Sequence, residues 1–253
     1  MLYRALILIV CWIGPADALV GGAPAADGTP AGRSVVLIVG SRGNSCTGTA
    51  IARDLVLTAA HCVLPGADYK LVEFDGARQP ILRDVVEIAR HPDFKLDSLL
   101  AHRATADVAL LKLAGPLPGA VVPAPLAARA SVNVDDRFTI AGNGVTVRGD
   151  GRTGGTVRTA ALAATGRPGT LQIRLVDPAT RGERPGLGAC TGDSGGPAFE
   201  EDGGRFAIIG VVSWSTGPGG AAGCGGLTGV TPLVLYRNWI IETARRLGSA
   251  LEK

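Results

Sequence analysis

The stretch Cys190-Thr-Gly-Asp-Ser194-Gly-Gly-Pro197 sets one serine hydroxyl among three glycines. Glycine at that density implies a backbone that turns sharply and approaches something closely. Such a turn suits a nucleophile whose neighbouring N–H groups point at a substrate oxygen. A serine hydroxyl is a poor nucleophile near neutral pH, so the chemistry also needs a base. Thr58-Ala-Ala-His61-Cys62 offers an imidazole, although a lone His is more often structural. Ala106-Asp107-Val-Ala-Leu-Leu-Lys-Leu113 sets a carboxylate at the mouth of an apolar run. Burial there is costly unless hydrogen bonds hold the charge, and taken alone that Asp reads as a turn residue starting a strand.

Together the three motifs run in the order His, Asp, Ser, with separations of 46 and 87 residues. In this the chain resembles the chymotrypsin-like (trypsin-like) serine peptidases, over nearly all of the sequence after residue 18. The resemblance implies that His61 takes the Ser194 proton during attack and later delivers it to the leaving amine. It implies that Asp107 fixes the imidazole tautomer, with the Ser213 hydroxyl supporting the buried carboxylate. The N–H groups of Gly192 and Ser194 would form the oxyanion hole, worth about 3–4 kcal/mol per donor. The implied disulfides are Cys46–Cys62 and Cys190–Cys224; four Cys by themselves permit three connectivities. Expected partners are protein or peptide substrates, cleaved by a monomer through an acyl-enzyme without a cofactor. A catalytically silent binding module and an esterase-like hydrolase are the alternatives.

In such peptidases one pocket reads the side chain before the cleaved bond. The resemblance places Gly188 at its floor and Ser213, Trp214, Ser215 and Gly229 along its walls. With no carboxylate at the floor, the expectation is an open apolar slot for large aliphatic or aromatic side chains. The segment 216–223 is longer than usual, and Glu183 is a displaced acid within reach of such a pocket. Asn143 stands where relatives usually carry Trp.

The resemblance also gives Leu19 a role. In Leu19-Val-Gly-Gly a new N-terminal amine is expected to fold inward and pair with Asp193, a buried charge tolerable only as a pair. Residues 1–18 have secretory anatomy: Arg4, an apolar run from Ala5 to Gly14, and the small-residue site Ala16-Asp17-Ala18. A cut after Ala18 exposes Leu19 directly; a cut after Ala16 leaves a dipeptide to be removed. The expected location is therefore secreted or periplasmic, with no stable membrane association after the cut.

Elements that could hold these residues are legible as short apolar runs between turn signals. SVVLIVG, DLVLTAA, YKLVEF, RDVVEIA and DVALLKL precede a Pro-rich connector at 116–126; RFTIAG, GTVRTAAL, TLQIRLV, PAFEE, RFAIIGVVSW and GVTPL follow it. Helical spacing of apolar residues begins at Leu235, with Arg245 and Arg246 suiting a helix C-terminus. The expectation is an all-β fold: two packed six-stranded Greek-key β-barrels at 19–115 and 127–234, then a C-terminal α-helix and tail at 235–253.

Composition agrees. Of 253 residues, 46% are hydrophobic and 19% charged, with 37 Gly and 16 Pro, which favours strands and turns. The net charge of +3 lies in scattered Arg without a basic run, which argues against a nucleic-acid partner. Five Cys become four once Cys11 leaves with the leader, as two disulfides in an oxidising compartment require. No C-x-x-C pair suggests zinc, and Glu73 with Asp75 is too sparse for calcium, so no metal is expected. His91 and His102 are expected on surface loops near the cleft.

Overall fold

Short Val-, Ile- and Leu-rich runs bounded by turn residues form the strands of this chain. The computed structural model describes residues 19–251 apart from 21–22, 78, 129–130 and 167–170; the expected leader, 1–18, lies outside the described residues. The first six strands are β1 (Val35–Gly40), β2 (Ser45–Ala52), β3 (Leu55–Thr58), β4 (Tyr69–Phe74), β5 (Pro80–Arg90) and β6 (Ala109–Leu113). They close into an antiparallel barrel in the order β1-β2-β3-β6-β5-β4. Then come β7 (Arg137–Gly142), β8 (Arg158–Ala164), β9 (Ile173–Val176), β10 (Pro197–Asp202), β11 (Arg205–Ser215) and β12 (Thr228–Pro232). These close in the same order, β7-β8-β9-β12-β11-β10. Closure leaves no free sheet edge in either half.

Each barrel buries its own cluster: Ile38, Leu55, Leu57, Leu71, Leu110 and Leu111 in the first, and Phe138, Ile140, Leu162, Leu175, Val212 and Val230 in the second. Each such side chain contributes about 1.5–3 kcal/mol on burial. One strand was not legible as a strand: β2, Ser-Cys-Thr-Gly-Thr-Ala-Ile-Ala, is buried along seven of its eight residues yet built of small ones. It has space for little else, because a Cβ at Gly48 would lie 2.6 Å from Val56 and 2.8 Å from Ile38.

The Pro-rich connector bonds to one barrel and then the other. Val122 and Ala124 donate to the carbonyls of Arg33 and Ala50, while Ile208 and Ala127 exchange bonds with Pro125 and Ile208. The guanidinium of Arg53 gathers the carbonyls of Leu117, Pro118 and Val121 in this connector. The C-terminal helix spans Arg237–Arg246 and buries Ile240, Thr243 and Ala244. It begins two residues later than the apolar spacing suggested, since Leu233–Leu235 forms a separate 3-10 turn. Gly248, at φ +72°, ends it by letting Gly248 and Ser249 donate back to the carbonyls of Arg245 and Ala244.

Candidate active site

Two strands bring His61 and Asp107, the expected base and acid, together. β3 and β6 are neighbours, and their last register pair is Thr58 with Ala109. His61 lies three residues beyond Thr58, in the single turn Ala60–Val63, and Asp107 lies two before Ala109. The Cys46–Cys62 disulfide ties that turn to β2. Asp107 is fully buried. Its Oδ1 accepts the His61 backbone N–H at 2.9 Å, and its Oδ2 accepts the His61 Nδ1–H at 2.8 Å and the Ser213 hydroxyl at 2.5 Å. The charge is thus met by three donors, one of them from the second barrel. With Nδ1 carrying the proton, Nε2 is left as the basic nitrogen.

The nucleophile loop crosses from the second barrel to touch the first. Ser194 accepts the Thr47 N–H at 2.8 Å, and Gly192 accepts the Thr47 hydroxyl at 2.8 Å. The same hydroxyl accepts the Asn143 N–H at 2.9 Å. So close an approach demands glycine: a Cβ at Gly195, which holds φ +85°, would fall 2.1 Å from Thr58 Oγ1 and 2.2 Å from the Thr47 carbonyl. Among the described residues, the N–H groups of Gly192 and Ser194 have no protein acceptor. Thr47 was not singled out in the sequence, where nothing distinguishes it from other threonines. The Cys190–Cys224 disulfide anchors the loop's start.

Asp193 is buried, and its oxygens accept the N–H groups of Gly144 and Cys190, both at 2.8 Å. A Cβ on Gly142 or Gly144 would strike this carboxylate. Burial pushes its carboxyl up to about 7, against the opposing pull of those two donors and of Arg158. Leu19 is 1% exposed and packs in the second core with Ile140 and Ala189, while Val20 pairs with Gly188. Leu19 holds φ +47°, a region in which side-chain-bearing residues are strained.

His61 and Ser194 open on one cavity of about 540 Å³, whose lining includes Thr191, Gly192, Ser215, Thr216 and the segment Gly220–Gly223. Of the expected pocket residues, only Ser215 lines it. Gly188 packs on Gly225, with 3.0 Å from its Cβ position to the Gly225 Cα. Ser213 is turned to Asp107 instead. Gly229 faces the Trp214 indole, which would lie 2.1 Å from a Cβ there. Side chains alternate along a strand, so Thr228, not Gly229, points to the nucleophile loop, and its hydroxyl accepts the Ala189 N–H at 3.0 Å. Neither Gly229 nor Thr228 is among the described residues that line the cavity.

Trp214 is half-buried and stacks face to face on His102, with centroids 4.8 Å apart and planes within 5°. His102 lines the cavity from the first barrel at φ +50°. His91, expected near the cleft, packs instead against Tyr236 and Trp239 at the C-terminal helix, where burial holds its imidazole below the ordinary value. Glu73 pairs with Arg83, and Asp75 caps the N–H groups of Ala77 and Gln79, so both carboxylates have protein donors. Cys46, His61 and Cys62 come within 4.8 Å of one another, but both sulfurs are bonded together and cannot ligate a metal.

The family model described as Trypsin matches residues 19–240. The chain is 31% identical over 219 residues to a vitellin-degrading protease of Bombyx mori, covering 81% of this chain and 78% of that protein. It is 32% identical over 247 residues to transmembrane protease serine 9 of Rattus norvegicus, covering 90% of this chain and 22% of the other. To coagulation factor IX of Cavia porcellus it is 29% identical over 230 residues, covering 81% of this chain and 74% of the other.

Proposed function

The chain belongs to the trypsin family of serine proteases, and from that premise we propose that it is an endopeptidase, secreted or periplasmic, acting through an acyl-enzyme. The observation that carries this reading is the 2.8 Å bond from His61 Nδ1–H to buried Asp107, with His61 and Ser194 open on one cavity. Ser194 Oγ attacks the scissile carbonyl while His61 Nε2 takes its proton. Asp107 stabilises the imidazolium without itself becoming protonated. The N–H groups of Gly192 and Ser194 receive the developing oxyanion. His61 then passes its proton to the leaving amine, and water enters to release the acyl group by the same route in reverse.

We further infer that the active form starts at Leu19. Burial of Leu19, with Val20 bridged to Gly188 six residues before Ser194, supports this, as does its positive φ. That torsion exists only while residue 18 is attached, so a cut there removes the strain and supplies an ammonium for a buried carboxylate. The signal-like composition of residues 1–18 supports export as the step that makes the cut. N-terminal sequencing of the exported protein tests it: Leu19 is expected first, and any other start overturns this step.

The preference for large apolar side chains was expected from Gly188 and Gly229; neither is among the described residues lining the cavity, which include Asn44, Ser45, Thr191, Ser215 and Thr216. Peptide and ester turnover, compared in wild type and Ser194→Ala, tests the peptidase reading. Peptide cleavage lost in Ser194→Ala is expected. Ester hydrolysis without peptide cleavage would assign an esterase, and neither activity would assign a binding module.

A further inference from the structure

We propose that Arg158 is a positioning residue for the oxyanion hole. Its guanidinium is the counter-charge of Asp193 while residue 18 is attached, so the uncut chain is already partly active. The proposal rests on the reading of Ser194 as nucleophile and deepens its account of Asp193. A buried carboxylate is tolerable only with partners, and the two donors that hold Asp193, the N–H groups of Gly144 and Cys190, are neutral. Among the described residues Asp193 has no ion pair. The nucleophile loop is nevertheless built with residue 18 joined to Leu19, and it leaves the N–H groups of Gly192 and Ser194 free of protein acceptors among the described residues.

Strand register puts Arg158 on the Asp193 side of its sheet. Gly142 on β7 and Arg158 on β8 are direct partners, and directly opposed residues send their side chains to the same face. Asp193 occupies that face, since a Cβ on Gly142 would fall 2.1 Å from its Oδ1. Arg158 is half-buried, and its Nε is buried with no hydrogen-bond partner. Its Nη1 donates only to the Thr156 carbonyl, at 3.5 Å. Its charge favours the ionised form of Asp193, and no other side chain does so. An unpartnered guanidinium nitrogen and a buried carboxylate without an ion pair therefore share one face.

The same stretch of β8 meets the segment that follows Leu19. Ala25 bridges to Arg158, the Ala26 N–H donates to the Val157 carbonyl at 2.8 Å, and the Val157 N–H donates to Asp27 at 3.3 Å. Arg158 thus stands where β8 touches both the N-terminal segment and the side of the sheet that holds Asp193. Arginine suits the role because it stays charged at any working pH and carries its donors in a rigid fork. Once a cut frees the Leu19 amine, an ammonium joins Asp193 and takes over the charge that Arg158 supplied. The form beginning at Leu19 stays the more active one, and the cut amplifies an activity already present.

An exported fusion joined directly to Leu19, and removable by a cysteine protease, gives uncut and cut forms of each protein from one preparation. The test is turnover of a p-nitrophenyl ester by both forms of wild type, Arg158→Lys and Arg158→Gln. Uncut wild type is expected to keep a measurable kcat. In the uncut form Arg158→Gln lowers kcat about a hundredfold, the size of one lost oxyanion donor, with little change in KM. Arg158→Lys restores most of that loss. In the cut form the same substitutions change kcat little, which also shows that the variants fold. A purely structural role would lower both forms alike. Equal losses in the two forms overturn the proposal, as does uncut activity that survives Arg158→Gln. An inactive uncut wild type beside an active cut one also overturns it, and leaves the hydrolase reading standing. Cut wild type that turns over no ester overturns that reading, and this proposal with it.

Discussion

Thr47, on β2 of the first barrel, donates its backbone N–H to the carbonyl of Ser194 in the second at 2.8 Å. Its hydroxyl donates in turn to Gly192 and accepts from Asn143. One fully buried threonine thereby fixes both residues whose N–H groups would face the oxyanion. The two barrels are held in register at the atoms where alignment matters most.

Thr47→Val keeps the shape but removes the hydroxyl, leaving the Gly192 carbonyl and the Asn143 N–H without it. A buried group left unpaired costs about 1–3 kcal/mol. If that cost falls on the oxyanion hole, kcat drops about tenfold or more while KM changes little. Steady-state kinetics beside a melting curve check it; a lowered melting temperature with wild-type kcat would show that the bond serves stability alone.

Asp107→Asn presents its amide to His61 and holds the imidazole in the wrong tautomer. A loss in kcat of about 10⁴-fold is expected, with the fold retained. Burst kinetics with an active ester locate the loss in acylation.

Asp193 gives the uncut chain a pH signature. Its carboxyl lies at about 7 when folded, against about 3.9 in an unfolded chain. The folded state therefore holds a proton that the unfolded state has lost, and stability falls as pH rises from about 4 to about 7. Melting of a Ser194→Ala protein with the 18–19 bond intact should show this slope. The same protein beginning at Leu19, with an ammonium to pair with the carboxylate, should show a flatter one. Identical slopes in the two forms would remove Leu19 from the account.

The Cys46–Cys62 disulfide, with a sequence separation of 16, closes a short loop around the turn that carries His61. Replacing both by Ser is expected to cost about 3 kcal/mol and to lower the melting temperature by roughly 6–12 °C. Calorimetry measures it.

The three motifs and most strands were legible because each couples a distinctive residue type to a strong apolar run. β2 was not, since Ser, Thr, Gly and Ala carry no hydrophobic pattern even where burial is complete, and Thr47 was hidden with it. That Gly229 faces the Trp214 indole was not legible, because the face a strand residue presents depends on its pairing partners, here Ser215 with Thr228 and Trp214 with Gly229.

The central claim is that Ser194 is a nucleophile activated by His61, and the most direct measurement is labelling by a fluorophosphonate followed by intact mass and peptide mapping. One adduct is expected, on Ser194, forming at a rate that collapses in His61→Ala and with stoichiometric loss of peptide turnover. No adduct on Ser194 in protein that still cleaves peptides would contradict the account.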